Sequence, residues 1–446
     1  MKVVMDAMLC VETTDARILA FMRRGNTFPN PRHQRAVRMG KATIHLPEHI
    51  HSYQASENRI VVGRGYAGQL FRACPSLYSA LQDHRTRQPV DLPPLAGIRL
   101  RDYQAEAVQA GSSKEQGVIQ APTGAGKTII GLSLIHRHQQ RALILLHSRE
   151  LLGQWQGVIR TLLGIEAGVI GGGQWREDGQ ITIAMLQTLS QHPDRLTALG
   201  QQYGLVLVDE CHHIPANTFS QVISHLSCRY RYGLTATPYR TDGLQALICR
   251  QLGDIIHVIR PETVEQVGGT VPARVQVLHV HGTVQADSWN ELLDSLTGSP
   301  LRNQQLSDIA RKAAQRYPTL ILTDRVEHAA VLAGMSEGAL LVHGQLPAAA
   351  RREALQGIRD AALTIGTTGL LGEGLDVSGW QCVVLATPIS SPAKLLQAIG
   401  RVLRPAPGKT FGVVIDCVDD HPMAGSSFQK RQRIYRKRGF QLGEYR

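Results

Sequence analysis

The sequence predicts an α/β fold: two tandem parallel-sheet lobes, a small N-terminal α+β domain and a basic C-terminal tail. From residue 99 onward, short apolar runs alternate with helical stretches, which is typical of a parallel sheet covered on both faces. The alternation restarts near residue 320, which indicates a second lobe of similar size. A length of 446 residues accommodates both lobes, because domains usually contain about 100–200 residues.

The predicted strands are β-branched and leucine-rich runs. In the first lobe they are Gly117–Gln120, Ala142–His147, Ile181–Met185, Leu205–Val208 and Tyr232–Thr235. In the second lobe they are Leu320–Thr323, Leu340–Val342, Leu363–Gly366, Cys382–Ala386 and Gly412–Cys417. The N-terminal segment supplies strands over Val3–Met5 and Ile60–Val62 and a helix over Ser76–Asp83, followed by a proline-rich linker over 84–98. We therefore expect four units: 1–90, 91–262, 263–424 and 425–446.

Composition excludes several classes of protein. An apolar fraction of 43% excludes a disordered chain, and the lack of any run of about 18 apolar residues excludes a transmembrane helix. The N-terminus is interrupted by Asp6 and Glu12 and is not a secretory signal. The 7 cysteines form no Cys-x-x-Cys pair, which argues against a zinc site and favours a reduced compartment. We expect a cytoplasmic protein of a bacterial or phage-infected cell, without membrane partners.

The charge of the chain is concentrated at its two ends. The formal net charge is +12, of which residues 1–90 carry +7 and residues 425–446 carry +6, so that the centre is nearly neutral. This distribution predicts a central region that performs chemistry and flanks that contact a polyanion.

A glycine-rich loop between a strand and a helix predicts a phosphate site. The segment APTGAGKT, residues 121–128, follows the strand 117–120 and precedes a predicted helix over Thr128–Gln139, which is the context that a P-loop requires. Lys127 would neutralise the β- and γ-phosphates, and Thr128 would bind Mg²⁺. The loop residues expected to bind the phosphates are Pro122, Thr123, Gly124, Ala125 and Gly126. All of them except Pro122 carry a backbone N–H, and these N–H groups, together with the helix N-terminus, would approach the phosphates.

Two acidic residues end the apolar strand 205–208. Asp209 at the carboxyl end of such a strand would lie beside the P-loop and hold Mg²⁺. The adjacent Glu210 would polarise the attacking water.

At this acidic pair the sequence resembles superfamily 2 helicases and translocases. Asp209-Glu210-Cys211-His212 is similar to their acidic box, and the resemblance covers residues 99–420. It includes an adenine-reading motif at 101–104, motif III at 234–238, motif V at 367–376 and motif VI at 397–404. The resemblance implies RecA-like lobes with ATP and Mg²⁺ as cofactors. It further implies nucleotide contacts at Arg101, Gln104, Gly374 and Asp376, and coupling of ATP hydrolysis to motion through His212, Thr235 and Thr237.

Motif VI has a helical spacing. Gln397, Gly400, Arg401 and Arg404 would share one helix face. With Gln397 beside them, Arg401 and Arg404 would act as arginine fingers on the transferred phosphoryl group, in an active site divided between the lobes.

The resemblance also implies nucleic-acid contacts in both lobes. These are Ser148 and Arg149 in motif Ia, Gln187 and Thr188 in motif Ic, Thr323 and Arg325 in motif IV, and Thr367 in motif V. From its charge, the tail would add Arg431, Arg433, Arg436 and Lys437 as contacts to a duplex or junction backbone.

The run from Gly233 to Gly243 is similar to phage branch-migration helicases, excision-repair-type DNA translocases and type III restriction motor subunits. This resemblance implies an ATP-dependent enzyme that remodels forks, junctions or R-loops, acts as a monomer and has recombination or replication proteins as candidate partners. Two alternatives remain open: an RNA helicase, since the same acidic box occurs in RNA enzymes, and a motor or recruitment subunit that separates no strands itself.

Overall fold

The computed structural model describes residues 1–211, 216–236, 244–282, 284–371 and 379–445. The chain divides into two compact units, residues 1–261 and 262–446. The first unit contains a small N-terminal domain and an α/β lobe, and the second unit contains a second α/β lobe.

The N-terminal domain is α+β, as the sequence predicts. Its elements are β1 Lys2–Met5, β2 Met8–Glu12, α1 Ala16–Gly25, β3 Thr27–Pro29, α2 Pro31–Arg38, β4 His49–His51, β5 Tyr53–Ala55, β6 Arg59–Gly63, α3 Ala67–Ala73 and β7 Leu81–Asp83. The main sheet has the order β5-β6-β2-β1-β7, while β3 and β4 form a separate antiparallel pair. Burial alternates along β1, β2 and β6 because successive side chains of a strand point to opposite faces.

The first lobe is a mostly parallel sheet with helices. Its elements are α4 Asp102–Ser112, β8 Gln116–Gln120, α5 Lys127–His138, β9 Ala142–Leu146, α6 Arg149–Leu163, β10 Gly168–Gly171, β11 Gln174–Arg176, β12 Ile181–Met185, α7 Leu186–Ser190, α8 Pro193–Gly200, β13 Leu205–Val208, α9 Ala216–Ile223, β14 Tyr230–Thr235, α10 Gln245–Leu252 and β15 Ile255–Val258. The strand order is β11-β10-β12-β9-β13-β14-β8-β15, and among the described strands β11 alone runs antiparallel. Strands β9, β12 and β13 are buried along their whole length, which explains their uninterrupted apolar sequences.

Buried arginines hold the N-terminal domain to the first lobe. The guanidinium of Arg64 donates to the carbonyl oxygens of Asp6 at 3.2 Å and Arg229 at 3.1 Å. Arg231 of β14 donates to the carbonyl oxygen of Ala7 at 3.1 Å. A Cβ atom at Gly63 would collide with the backbone of α10, so the two parts approach at backbone distance.

The second lobe is a parallel sheet throughout its described strands. Its elements are α11 Pro261–Gln266, β16 Ala273–Val280, α12 Trp289–Gly298, α13 Pro300–Ala314, β17 Thr319–Thr323, α14 Val326–Gly334, β18 Leu340–Val342, α15 Ala348–Gly357, β19 Leu363–Thr367, α16 Thr368–Leu371, β20 Cys382–Leu385, α17 Pro392–Val402, β21 Gly412–Asp419, α18 Pro422–Lys437 and β22 Gln441–Glu444. The strand order is β18-β19-β17-β20-β21-β16-β22.

Residues 425–445 are an integral part of this lobe, and the prediction of a separate basic tail is wrong. Most of this segment forms α18, which packs against β21, and β22 adds an edge strand beside β16. Arg431 of α18 is buried and forms a bidentate ion pair with Asp416, both N···O distances being 2.9 Å. The hydroxyl of Tyr435 donates to the same carboxylate at 2.7 Å. The sequence shows that this segment is basic, but it does not show which of its cations faces the sheet, so the contact was not predicted.

Two local predictions also differ from the structure. The segment predicted as a helix over Ser76–Asp83 is a 3-10 turn followed by β7, since β7 pairs with β1. The predicted linker 84–98 contains no helix or strand, but it is anchored. Its Arg85 forms ion pairs with Asp83 at 2.8 Å and with Glu115 of the first lobe at 2.7 Å.

No helix in the described part of the chain is long and apolar enough to cross a membrane.

Candidate active site

The loop 121–126 joins β8 to α5 and has the backbone of a phosphate-binding loop. Gly124 and Gly126 have φ angles of 84° and 78°, a left-handed conformation that favours glycine. Gly126 is the N-cap of α5, so the first N–H groups of this helix point into the loop. The N–H of Ala121 donates to the carbonyl oxygen of Thr235 at 2.8 Å, which fixes the loop to β14.

The acidic pair lies opposite this loop, at the end of β13. The Nζ atom of Lys127 is 3.1 Å from Oε1 of Glu210, so the sheet brings together the predicted phosphate and water-activating residues. Glu210 has a φ angle of 47°, and its N–H donates to Oδ1 of Asp209 at 2.9 Å. Burial raises the pKa of Asp209 to about 6, and neighbouring Glu210 adds to the rise, whereas Lys127 and Trp155 oppose it.

Helix α6 contacts both predicted Mg²⁺ ligands. The indole N–H of Trp155 donates to Oδ2 of Asp209 at 2.9 Å, and both side chains are buried. One residue earlier, Nε2 of Gln154 lies 3.4 Å from Oγ1 of Thr128. No sequence pattern predicted that Trp155 would lie beside the acidic pair; the available signal was its place in the segment, from Ser148 to Trp155, that resembles motif Ia.

The predicted adenine-reading residues lie at the start of α4. The amide group of Gln104 donates to the carbonyl oxygen of Ala125 at 2.9 Å and accepts from the N–H of Arg101 at 3.0 Å. Gln104 therefore braces the glycine-rich loop from outside. The φ angle of 78° at Gly126 favours glycine, and a Cβ atom there would also lie 2.5 Å from Nε2 of Gln104.

The first-lobe residues predicted to contact nucleic acid lie on neighbouring strand ends. Ser148 and Arg149 follow β9, and Gln187 and Thr188 follow β12, which pairs with β9. Ser148 is the N-cap of α6 and accepts from the N–H of Leu151 at 3.4 Å. The neighbouring strand β10 ends in the first of three consecutive glycines, and Gly172 and Gly173 form the turn to β11, which was not predicted from the sequence. Gly172 and Gly173 have positive φ angles, and a Cβ atom at either would meet nothing within 4 Å.

Several predicted residues fall outside the described ranges: His212, Thr237, Gly374 and Asp376. Thr235 is described and is the last residue of β14, where it is 2% exposed.

In the second lobe, Thr323 is buried, and its hydroxyl lies 2.7 Å from Nδ1 of His328. The prediction that Thr323 contacts nucleic acid is therefore wrong for this structure, because its polar atom is enclosed. Arg325 is partly exposed and pairs with Asp294 at 2.9 Å. Thr367 ends β19 and is partly exposed, so its predicted contact stays a prediction.

The motif VI residues lie on and just after α17. Gln397 and Arg401 belong to this helix, and Arg401 is 5% exposed. The helix ends at Val402, so Arg404 lies beyond its C-cap rather than on the predicted helical face.

On α18 the predicted contacts separate into two groups. Arg431 is buried in its ion pair with Asp416, so its predicted phosphate contact is wrong. Arg433, Arg436 and Lys437 are exposed, and their role stays a prediction.

The residues of the first lobe fit a bound Mg²⁺–ATP. The glycine-rich loop presents main-chain N–H groups, Lys127 supplies a cation, and the hydroxyl of Thr128 and carboxylate of Asp209 supply oxygen ligands of the kind that Mg²⁺ prefers. Within the described ranges, no group of three or more His, Cys, Asp or Glu side chains could hold a metal ion. The described cysteines are all free thiols.

Comparison with known families agrees with this geometry. The family described as "Type III restriction enzyme, res subunit" matches residues 97–240, and the "Helicase conserved C-terminal domain" matches residues 302–406. The chain belongs to the superfamily 2 DNA helicases and translocases. It is thereby an ATP-hydrolysing enzyme, and the predicted fold class of two RecA-like lobes is confirmed.

Individual relatives are distant. The chain is 24% identical over 367 residues to "Probable helicase D10" of Escherichia phage T5, which covers 81% of this chain and 80% of the relative. It is 31% identical over 277 residues to the DNA 3'-5' translocase XPB2 of Sulfurisphaera tokodaii, covering 60% of each protein. The structure of S. cerevisiae Dbp5 bound to RNA and ADP BeF3 matches with a TM-score of 0.58 at 17% identity, over 79% of this chain and 90% of that one. This last likeness shows the fold alone.

Proposed function

We propose that the protein is an ATP- and Mg²⁺-dependent DNA translocase that remodels branched DNA: forks, junctions or R-loops. One observation carries the proposal. The phosphate site after β8 and β13 and the predicted nucleic-acid loops after β9 and β12 lie along the same carboxyl edge of one parallel sheet. Ligands of such sheets bind at this edge, so nucleotide and DNA would be held by one rigid element.

The side chains of the first lobe have separate roles in hydrolysis. Bound Mg²⁺–ATP supplies the transferable γ-phosphoryl group and neutralises part of its charge. The hydroxyl of Thr128 and the carboxylate of Asp209 would hold the metal, and Glu210 would polarise the attacking water. Lys127 now pairs with Glu210 at 3.1 Å. A phosphate would compete for Lys127 and release the carboxylate of Glu210 to accept a proton.

Stabilisation of the transferred phosphoryl group would come from Gln397, Arg401 and Arg404. The basic N-terminal domain would retain the DNA, since its charge of +7 far exceeds that of the lobe to which it is docked. Relatives named DNA helicases and translocases support DNA as the substrate.

The test of the motor is a pair of variants. Lys127→Ala should abolish ATP hydrolysis, and Glu210→Gln should retain ATP binding but stop turnover. Lys114→Ala and Glu106→Gln are matched controls, because both positions are exposed in the same lobe and belong to none of the predicted motifs. Normal hydrolysis by Glu210→Gln would show that another group activates the water.

The test of the substrate is a panel of nucleic acids. ATP hydrolysis by the wild-type protein should be stimulated most by forked or four-way-junction DNA, less by linear duplex, and least by RNA. Strand displacement measured on the same forks distinguishes a remodelling enzyme from a recruitment subunit. Stimulation by RNA and not by duplex DNA would contradict the proposal and support an RNA helicase.

A further inference from the structure

Residues 30–47 form an excursion from the N-terminal domain, closed at its base by the pairing of β3 and β4. Asn30 joins its two ends: its N–H donates to the carbonyl oxygen of Glu48 at 2.9 Å, and Nδ2 donates to that of Pro47 at 2.7 Å. Of its residues, all of which the structure describes, Asn30 and Ala36 alone are buried. The excursion therefore projects from the domain while its base is held rigidly.

The excursion is strongly basic. Residues 30–47 contain three arginines and one lysine but no aspartate or glutamate. Arg32, Arg35 and Arg38 follow one another at three-residue spacing on α2, and all three are exposed. Like charges at this spacing repel, and within the described ranges no ion pair compensates these three. Such a row is stabilised when it contacts a polyanion.

The tip of the excursion, residues 37–44, carries three exposed apolar side chains. Val37, Met39 and Ile44 are 57%, 56% and 88% exposed. A groove of about 580 Å³ lies between α2 and β4, and its lining includes Val37, His33, His49 and the acidic residue Glu48. Exposed large apolar side chains in the segment that also carries the arginines of α2 indicate a binding surface rather than a solvated one.

We propose that residues 30–47 bind the branch point of a DNA substrate. The cations of α2 contact phosphates of the duplex arm. Met39 and Ile44 cover the base pair that is exposed where the strands part, as apolar side chains do when they unstack a base step. Phosphate contacts can form on any duplex. The apolar tip, in contrast, would contact the face of a base, which is stacked and inaccessible in a continuous duplex but exposed at a branch point. This inference rests on the proposed function and specifies how a branch is selected.

Two variants separate the two contacts. The triple variant Arg32→Gln, Arg35→Gln, Arg38→Gln should weaken binding to both forked and linear duplex DNA. It should also reduce the slope of log affinity against log salt by about 2–3, since each phosphate contact contributes about 0.9. The double variant Met39→Ser, Ile44→Ser should bind linear duplex with the affinity of the wild type. Its preference for forks, measured as the ratio of the affinities for forked and linear DNA, should fall about tenfold, because a few apolar carbons would no longer be buried against a base.

Matched controls lie in the second lobe, where Lys312, Arg316 and Leu301 are also exposed. Changing the two cations to Gln and Leu301 to Ser should leave salt slope and fork preference unchanged. An unchanged fork preference in the tip variant, or an unchanged salt slope in the triple variant, would overturn the inference. Absence of DNA-stimulated ATP hydrolysis in the wild-type protein would instead overturn the proposed function, so the two failures are distinguishable.

Discussion

Replacement of Trp155 by Phe should weaken Mg²⁺-dependent ATP hydrolysis while the protein remains folded. The indole N–H donates to Asp209 at 2.9 Å, and phenylalanine retains an aromatic ring without this donor. A hydrogen bond to a charged group contributes about 1.5–3 kcal/mol, and loss of a group that orients a metal ligand typically costs about 10–100-fold in metal affinity or activity. We therefore expect the Mg²⁺ concentration for half-maximal hydrolysis to rise by about tenfold or more.

The assay is steady-state ATP hydrolysis at saturating DNA over a series of Mg²⁺ concentrations. Trp380→Phe is the matched control, because Trp380 is also buried and donates through its indole, at 3.3 Å, to Thr364 in the second lobe. Both variants lose similar packing, so a merely structural effect would appear in both. A Mg²⁺ dependence of Trp155→Phe within twofold of that of Trp380→Phe would refute the positioning role of the indole.

Three further predictions concern folding and the roles of buried polar groups. Arg431→Met should lower the free energy of unfolding by about 3–5 kcal/mol, because it leaves Asp416 buried without its cation. The measurement is urea denaturation, with Arg433→Met at an exposed position as the control. Equal urea midpoints for the two variants would contradict the prediction. His328→Asn should flatten the loss of stability on acidification. Burial lowers the pKa of His328 to about 3, and the charge of Arg302 contributes to this shift. As the pH falls below about 6.5, the unfolded state therefore binds a proton that the folded state does not, and the free energy of unfolding decreases by up to about 1.4 kcal/mol per pH unit. Parallel stability–pH profiles of the variant and the wild type would exclude this role. Arg64→Met should loosen the N-terminal domain, since Arg64 is fully buried against carbonyl oxygens of both parts. Limited proteolysis should then release residues 1–83 faster than from Arg23→Met, an exposed control on α1; equal rates would contradict this prediction.

Local signals in the sequence were sufficient to predict that the residues of the proposed nucleotide site lie together. A P-loop is a contiguous segment, and Asp209 and Glu210 end an apolar run, so strand order alone brings Lys127 within 3.1 Å of Glu210. The strands of both lobes were predictable for the same reason, because buried parallel strands are continuous apolar runs.

Contacts between distant segments were not predictable. The ion pair of Arg431 with Asp416 joins an apparently solvated basic helix to a buried strand, and a charge count cannot distinguish a buried arginine from an exposed one. The indole of Trp155 reaches Asp209 across 54 residues. Arg404 was placed on a helical face by its spacing, yet α17 ends at Val402, because spacing gives no helix boundary.

The arginine-to-carbonyl junction between the N-terminal domain and the first lobe determines how this protein can be dissected and recombined. Removing residues 1–83 would remove the carbonyl oxygen of Ala7, which accepts a hydrogen bond from the guanidinium of Arg231. Arg231 belongs to β14, the strand that ends at Thr235, so the loss would fall within this strand. Such a truncation would test folding more than DNA binding. In a chimaera with a related motor, residues 1–261 should therefore be transplanted as one cassette, and substrate preference should be expected to follow that cassette.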